Sequence, residues 1–312
     1  MGGRLHVENM QRTQIPPGST PERIWVEKAA TLRYRFGQQR PNSGPIRIFR
    51  MKFLWFPAAA LLLGHCAQAA PLALGNNEQL VYRVSWAFIP AVGRITVAAQ
   101  AVTAAGRQPL LRVTTETETR GLGYLILPFD ARAQSDYDAS TGRLVHFSET
   151  SATRSKDAAH TMDFDYPHLQ ALYAEAGSGK PVRRLPLPPG DPSDLIDCLL
   201  STRNWSLVPG QTHDALVFFE DDFYQLTVHA LRYEDIMTPL GNFRTLVLEP
   251  RMEKTPPLGM FKRGSTVKVW IAQSAPHLPV RFQVQFNFGS GVATLTDYRP
   301  PTPPVPARPA PR

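Results

Sequence analysis

The sequence predicts an all-β protein with one or two short helices, built as a large curled antiparallel sheet or incomplete β-barrel. Three observations carry this. Apolar and polar residues alternate with period two over long runs: Val280, Phe282, Val284, Phe286 and Phe288 are set against Arg281, Gln283, Gln285 and Asn287. Clusters of Gly, Pro, Asn and Asp separate such runs as turns do. The runs also follow one another without the intervening helices that a parallel sheet requires.

Residues 1–50 hold Pro16-Pro17-Gly18 and scattered basic residues with no sustained apolar period, and read as an upstream extension before the true start. At Met51 the pattern changes. Lys52 is followed by the apolar run 53–63 and then by Ala67-Gln68-Ala69-Ala70, which together make the three parts of a secretory signal peptide. The apolar run is about half of the ~20 residues a membrane-spanning helix needs. The segment 51–69 therefore predicts export to the periplasm, with no transmembrane segment in a mature chain that begins at Ala70. Cys66 offers an alternative, lipid-anchored form, but His65 occupies the position where a lipidation site needs a small residue.

The whole sequence has 34 Lys+Arg and 26 Asp+Glu, a net charge of +8. Residues 1–69 contain 10 of the cations and 3 of the acids, so the mature chain retains 24 against 23, or +1. The basic excess that would point to nucleic acid lies in the part expected to be removed, and nucleic acid is not an expected partner. Only two cysteines occur. Cys66 falls in the signal, and Cys198, beside Leu199 and Leu200 in a predicted helix, reads as a buried small hydrophobe.

Along the mature chain, strands are predicted at Gln79–Ile89, Gly93–Val102, Leu110–Thr119, Ala131–Tyr137, Leu144–Thr150 and Thr161–Tyr166. Thr114-Thr115-Glu116-Thr117-Glu118-Thr119 fits a strand with one wet face. After a proline-rich approach, Pro181 to Pro189, the segment Gly190-Asp191-Pro192-Ser193-Asp194 predicts a helix start. Asp191 is expected as its cap, Pro192 at its first position and Asp194 against its dipole. Leu195, Ile196, Leu199, Leu200 and Arg203 share one face of this helix, which divides the strands into two groups and could plug or cover a curved sheet.

Beyond the helix, Glu220-Asp221-Asp222 reads as a hairpin turn between apolar strands. Phe223–Tyr233 and Phe243–Met252 flank Pro239-Leu240-Gly241-Asn242, whose Pro and Gly suit a type II turn. Ser265–Gln273, Val280–Phe288 and Val292–Tyr298 complete an antiparallel meander. Residues 70–298 are thus expected to form a single domain. The stretch 299–312, with seven prolines in fourteen residues, reads as a disordered, polyproline-type tail.

Catalytic signatures are missing: no Gly-x-Ser-x-Gly, phosphate loop, His-Glu-x-x-His or paired-cysteine motif occurs. No catalytic residue and no cofactor is expected. His160, Asp163 and Asp165 are the candidate metal ligands, with His168 nearby, but on a strand the two aspartates share a face while His160 points to the other. Tyr82, Trp86, Phe88 and Trp270 fall in predicted strands. They are the candidate ligand-binding residues if the inner face of the sheet is also the wall of a pocket.

Several of these residues bear a resemblance to exported bacterial proteins catalogued as domain of unknown function 3108. The opening, Glu78-Gln79-Leu80-Val81-Tyr82 through Trp86 and then Ile89-Pro90-Ala91-Val92-Gly93, is similar to that family's acidic residue, apolar-x-Tyr strand and turn ending in Gly. Asn77 stands where the family usually has glycine. The helix from Asp194 to Arg203 resembles a family helix that begins with aspartate and ends near an arginine. Gly241 and Phe243 match its hairpin, and Val269-Trp270-Ile271 with Leu278-Pro279-Val280 match its closing strands. The resemblance spans residues 76–299 and implies an exported β-rich protein, with no activity carried to any residue.

The reading of the sequence is a non-catalytic periplasmic protein that binds an apolar or amphipathic envelope molecule, lipid-like or glycan, on its concave face, or that supports envelope assembly. An envelope hydrolase or glycan-modifying enzyme is the first alternative, with Asp163, Asp165 and His160 as the place to look. An outer-membrane β-barrel is the second.

Overall fold

Fourteen strands form one antiparallel sheet in the computed structural model, which describes residues 72–103, 108–126, 128–154, 157–257, 261, 265–287 and 289–302. The extension 1–50, the signal 51–69, Phe288 and residues 303–312 of the expected tail lie outside the described residues. The strands are β1 (Gln79–Trp86), β2 (Ile89–Val102), β3 (Leu110–Thr119), β4 (Phe129–Asp138), β5 (Leu144–Thr153), β6 (Asp157–Asp165), β7 (Gln170–Glu175), β8 (Arg183–Pro186), β9 (Thr212–Phe219), β10 (Asp222–Thr238), β11 (Gly241–Arg251), β12 (Thr266–Ala272), β13 (Pro279–Phe286) and β14 (Gly289–Arg299). Two short helices accompany them: α1 (Gly121–Ile126), which follows β3, and α2 (Leu195–Ser201), which follows β8.

The order across the sheet is β8 to β1, then β14 down to β9. Strands β1 to β8 and β9 to β14 each pair in sequence order, and β1 pairs with β14, so two meanders are zipped together by the two ends of the chain. The sheet is open between β8 and β9, its two edges. Those edges nevertheless face each other. Ser193, just before α2, bridges Val217 of β9 in parallel fashion, and the Phe218 N–H donates to the Ser193 carbonyl at 3.1 Å. Arg183 of β8 pairs with Asp221 beyond β9. Phe218 packs on Phe147 of β5 and Phe164 of β6, with ring centroids 4.9 and 5.5 Å apart. Pro186 ends β8 without cost, because an edge strand has no partner waiting for the missing N–H.

The connection across this seam carries α2 into the interior. Asp197, Cys198, Leu199 and Leu200 are consecutive and all buried, as expected of a helix apolar around its whole circumference. Leu200 joins the cluster of Leu80, Tyr82, Val97 and Leu295; Leu199 joins Val228, Leu246 and Leu248; Cys198 joins Val217 and Leu226. Each fully buried Leu contributes about 1.5–3 kcal/mol, so this seven-residue helix ties both meanders together.

Several local expectations are corrected. The first turn comes earlier than the sequence suggests. It is formed by Ala87 and Phe88, with Ala87 at φ 50°, and Ile89 to Val92 belong to β2. Phe88 is therefore at a turn apex and 91% exposed rather than within a strand. The β10–β11 turn is not type II: Thr238 pairs with Gly241 across Pro239-Leu240, and the positive φ, 123°, falls at Gly241 rather than at Leu240. α1, β7 and β8 are additional elements, too short or too proline-bounded to give a periodic signal. After β14 the Thr302 N–H donates to the Asn76 carbonyl at 2.8 Å, so the chain stays hydrogen-bonded to the body three residues into the segment expected to be a free tail. Among the described residues no helix is long and apolar enough to cross a membrane.

Candidate functional site

The N-terminus of α2 is built differently from the sequence expectation. The cap is Asp194, whose Oδ1 accepts the Asp197 N–H at 3.0 Å, and the helix begins at Leu195. Pro192 and Ser193 are outside it because Ser193 is engaged with β9. Asp191 does not cap; its Oδ1 accepts from Arg143 Nε at 2.8 Å. The other Asp194 oxygen accepts the Ser135 hydroxyl at 2.8 Å, and Asp197 Oδ2 accepts the Tyr137 hydroxyl at 2.7 Å. β4 thus presents two hydroxyls to two helix carboxylates.

Asp197 is the unusual member. It is 2% exposed, and its Oδ1 is buried with no hydrogen-bond partner. Burial, reinforced by the neighbouring Asp194 carboxylate, pushes the Asp197 carboxyl well above the ordinary range. Burial likewise pushes the Cys198 thiol up to about 12, with Asp194 adding to it. That is the opposite of what an activated thiolate needs, and Cys198 packs as a hydrophobe.

Asp197 lies in the wall of a cavity of about 450 Å³ between α2, β3, β4 and β9. Its deep wall is apolar, with Leu111, Val113 and Leu144 buried around Tyr137 and Cys198. Its mouth is polar and exposed, formed by Pro189, Gly190 and Asp191 of the crossover and by His213 and Asp214 of β9. Trp205 stacks on His213 with centroids 4.1 Å apart. The other carboxylates here are occupied. Asp191 is held by Arg143, and Asp214 accepts from Lys254 Nζ at 2.6 Å and from Thr227 Oγ1 at 2.8 Å, with the Lys254 hydrogen bond drawing its carboxyl below the usual range. Among the described carboxylates of this cavity, Asp197 has the buried oxygen without a hydrogen-bond partner.

The residues singled out from the sequence are placed elsewhere, and none lines this cavity. Tyr82 is buried, donates to the Pro279 carbonyl at 2.9 Å and tilts against Phe282 at 5.1 Å. Trp86 stacks on Phe286 at 6.0 Å. Phe88 is at the turn apex already described. Trp270 is buried, with the Arg281 guanidinium 5.7 Å from its ring centroid. The metal candidates do not converge. Asp163 pairs with His146 at 2.7 Å, directly across the β5–β6 ladder, and Asp165 pairs with His168 at 2.8 Å. His160 points the other way, its ring 5.7 Å from Phe147 and 5.6 Å from Tyr173. Among the described residues no cluster of three or more His, Cys, Asp or Glu could hold a metal ion.

The motif residues of the resemblance acquire structural roles. Arg203, in the single 3-10 turn that follows α2, donates to Glu78 Oε1 at 2.7 Å, and the two side chains are only 8% and 3% exposed. Arg203 also reaches the carbonyls of Pro276 at 2.9 Å and Ala73 at 3.3 Å, while Glu78 accepts the Gly75 N–H at 2.8 Å and the Tyr298 hydroxyl at 3.2 Å. The acid that precedes β1 and the arginine that follows α2 are thus one buried ion pair. Gly93 is required by close approach, since a Cβ there would stand 2.8 Å from the Glu118 carbonyl oxygen.

No curated protein matches the chain. Two solved structures are similar in outline. A β-barrel-like protein of the domain of unknown function DUF1849 from Brucella abortus is 9% identical and has a TM-score of 0.48, covering 73% of this chain and 98% of its own. A protein described as a putative lipoprotein from Parabacteroides distasonis is 12% identical and has a TM-score of 0.28, covering 74% of this chain and all of its own. The model of the family described as protein of unknown function DUF3108 matches residues 81–296. That span runs from within β1 to within β14 and includes α2, Arg203 and most of the cavity wall, and the chain belongs to this family.

Proposed function

We propose that the protein is exported through the signal beginning at Met51 and works in the periplasm as a non-catalytic binding protein for an amphipathic molecule. The ligand's apolar part lies against Leu111, Val113 and Leu144, and its head, an amine or hydroxyl, donates to Asp197. The observation that carries this reading is one carboxyl oxygen, buried and without a donor, in the wall of a cavity that Leu111, Val113 and Leu144 also line. The volume falls within the roughly 300–1,000 Å³ of small-molecule sites, and a few placed polar groups in a greasy wall is their usual composition.

Two alternatives receive less support. Hydrolysis by an acid and a base needs a second available carboxylate, and Asp191, Asp194 and Asp214 are each already hydrogen-bonded. A transmembrane barrel turns its apolar side chains outward, whereas here Leu80, Tyr82, Val280 and Leu295 face a packed core.

The test is displacement of an environment-sensitive fluorophore by dodecylamine, dodecanol and dodecanoate. The amine and the alcohol are expected to compete, the carboxylate poorly. Asp197→Asn should weaken the amine by about ten- to a hundred-fold, the range of a hydrogen bond to a charged group, while sparing the alcohol. Failure of all three probes to compete, or an unchanged amine affinity in the variant, overturns the reading.

A further inference from the structure

On the other face of the sheet, where its two meanders are zipped together, three arginines stand in one cross-strand row. Arg94 of β2 lies directly opposite Arg83 of β1, Arg83 opposite Thr294 of β14, and Thr294 opposite Arg281 of β13. Residues directly paired in a ladder project to the same face, and adjacent strands are about 4.8 Å apart, so the three arginines follow one another across roughly 14 Å of one face. Their neighbours in sequence, Tyr82, Ile95 and Phe282, point into the core instead. Next to Arg281 in the ladder is Trp270 of β12, which is buried with the core, and Lys268 lies two residues along that strand.

The row is electrostatically unfinished. Among the described residues none of Arg83, Arg94, Lys268 and Arg281 has a carboxylate partner. Glu118, opposite Arg94, is taken by Arg120, and Glu116 by Arg132. Five buried side-chain polar atoms among the described residues lack a hydrogen-bond partner, and three of them are N–H donors of this row: Arg94 Nε, Arg281 Nε and Trp270 Nε1. An unpaired buried donor is unfavourable, and like charges directly opposite each other add to that. Those costs fall along one row of the sheet, and an anion with several acceptor oxygens seated on it would offset part of them.

We propose that this row is a binding site for a phosphate group, carried by a lipid headgroup or free in solution. Phosphate offers the oxygens and the charge that guanidinium forks match, which a carboxylate satisfies less fully. The site is independent of the cavity and of the function proposed for it. A lipid source is favoured by the β10–β11 hairpin: Arg281 Nη2 approaches the carbonyl of Met237 at 3.5 Å, and the Met237 side chain is 73% exposed beside the site.

The purified protein should be tested against inorganic phosphate by titration calorimetry, and by co-sedimentation with phosphatidylcholine vesicles with and without phosphatidylglycerol. Binding is expected to phosphatidylglycerol-containing vesicles or to phosphate, weakening as salt is raised. Arg83→Gln with Arg281→Gln should reduce it at least tenfold. Arg83→Gln alone, at an exposed position, should retain the fold and lose part of the affinity, while Arg251→Gln, whose arginine is paired with Glu249 elsewhere, should change nothing. Vesicle binding without phosphate binding assigns the lipid source, and the reverse assigns the free anion. Equal binding by wild type and the double variant, or no binding of either probe by wild type, overturns the proposal.

Discussion

Replacing Arg203 by methionine should be the most damaging single polar substitution in this protein, and its size can be worked from the contacts. The arginine satisfies Glu78 Oε1 and the carbonyls of Pro276 and Ala73, and both members of the ion pair are almost wholly buried. Methionine is close in length and refills much of the space, so the loss is electrostatic rather than a cavity. It leaves Glu78 with only the Gly75 N–H and the Tyr298 hydroxyl as donors. Breaking a buried pair from one side costs about 3–5 kcal/mol. For a chain of this size each kcal/mol lowers Tm by about 2–4 °C, so a drop on the order of 10 °C is expected. Removing both partners, in Glu78→Leu with Arg203→Met, should recover most of that loss, because an uncompensated charge is worse than no charge. Urea unfolding followed by tryptophan fluorescence gives both numbers. A loss under about 1 kcal/mol in the single variant, or a double variant no better than the single, would refute the assignment of this pair as the clasp between the start of β1 and the end of α2.

Two further outcomes follow from the same interior. Cys198, with its thiol pushed up to about 12, should be inert to a thiol reagent at pH 8 in the folded protein and react fully with one equivalent after unfolding in urea, which a stopped colorimetric assay reads directly. Asp197 binds its proton more tightly folded than unfolded, so its contribution is fully present below the unfolded pKa of about 3.9 and is lost as pH rises toward the raised folded value. Asp197→Asn should therefore gain stability relative to wild type as pH rises from about 4 toward neutrality, by up to ~1.4 kcal/mol per pH unit. Parallel stability curves for the two proteins across that range would contradict it.

The sheet itself was legible because alternation is a local signal. Leu110–Thr119 appears in the structure with the bounds the sequence suggests, and the closing meander differs only at its ends. The helix was legible in its apolar face and misplaced at its start. Pro192 and Asp191 form a good start signal, but Ser193 is drawn into a bridge with Val217, a residue of an edge strand that no local pattern announces. Asp197 belongs to no motif in the sequence and is not marked by it as a site residue. The overlooked signal was its setting, an acid between Ile196 and Cys198 in a turn apolar on every side, where a carboxyl must be buried. The arginine row was illegible for a different reason. Arg83, Arg94 and Arg281 each occupy an ordinary polar position of an alternating strand, and only the pairing of β1 with β14 brings them together.

That pairing also explains why there is a cavity at all. About eight strands give a barrel interior that side chains can just fill; a curled sheet of fourteen encloses more than its own side chains can occupy. A closed ring of this width would have to hold water or a plug. The chain instead opens the ring at its midpoint, between β8 and β9, and uses the crossover to send one short helix inward, where Leu199, Leu200 and Cys198 each meet a different part of the core. Seven residues of helix do not fill the space evenly. On the side toward β3, β4 and β9 a cavity of about 450 Å³ remains, with Asp197 in its wall. The buried acid and the free volume are thus two consequences of the same choice of plug. Leucine at position 197 would carry no such electrostatic cost; in the function proposed above, a ligand donor at the free Asp197 oxygen offsets it.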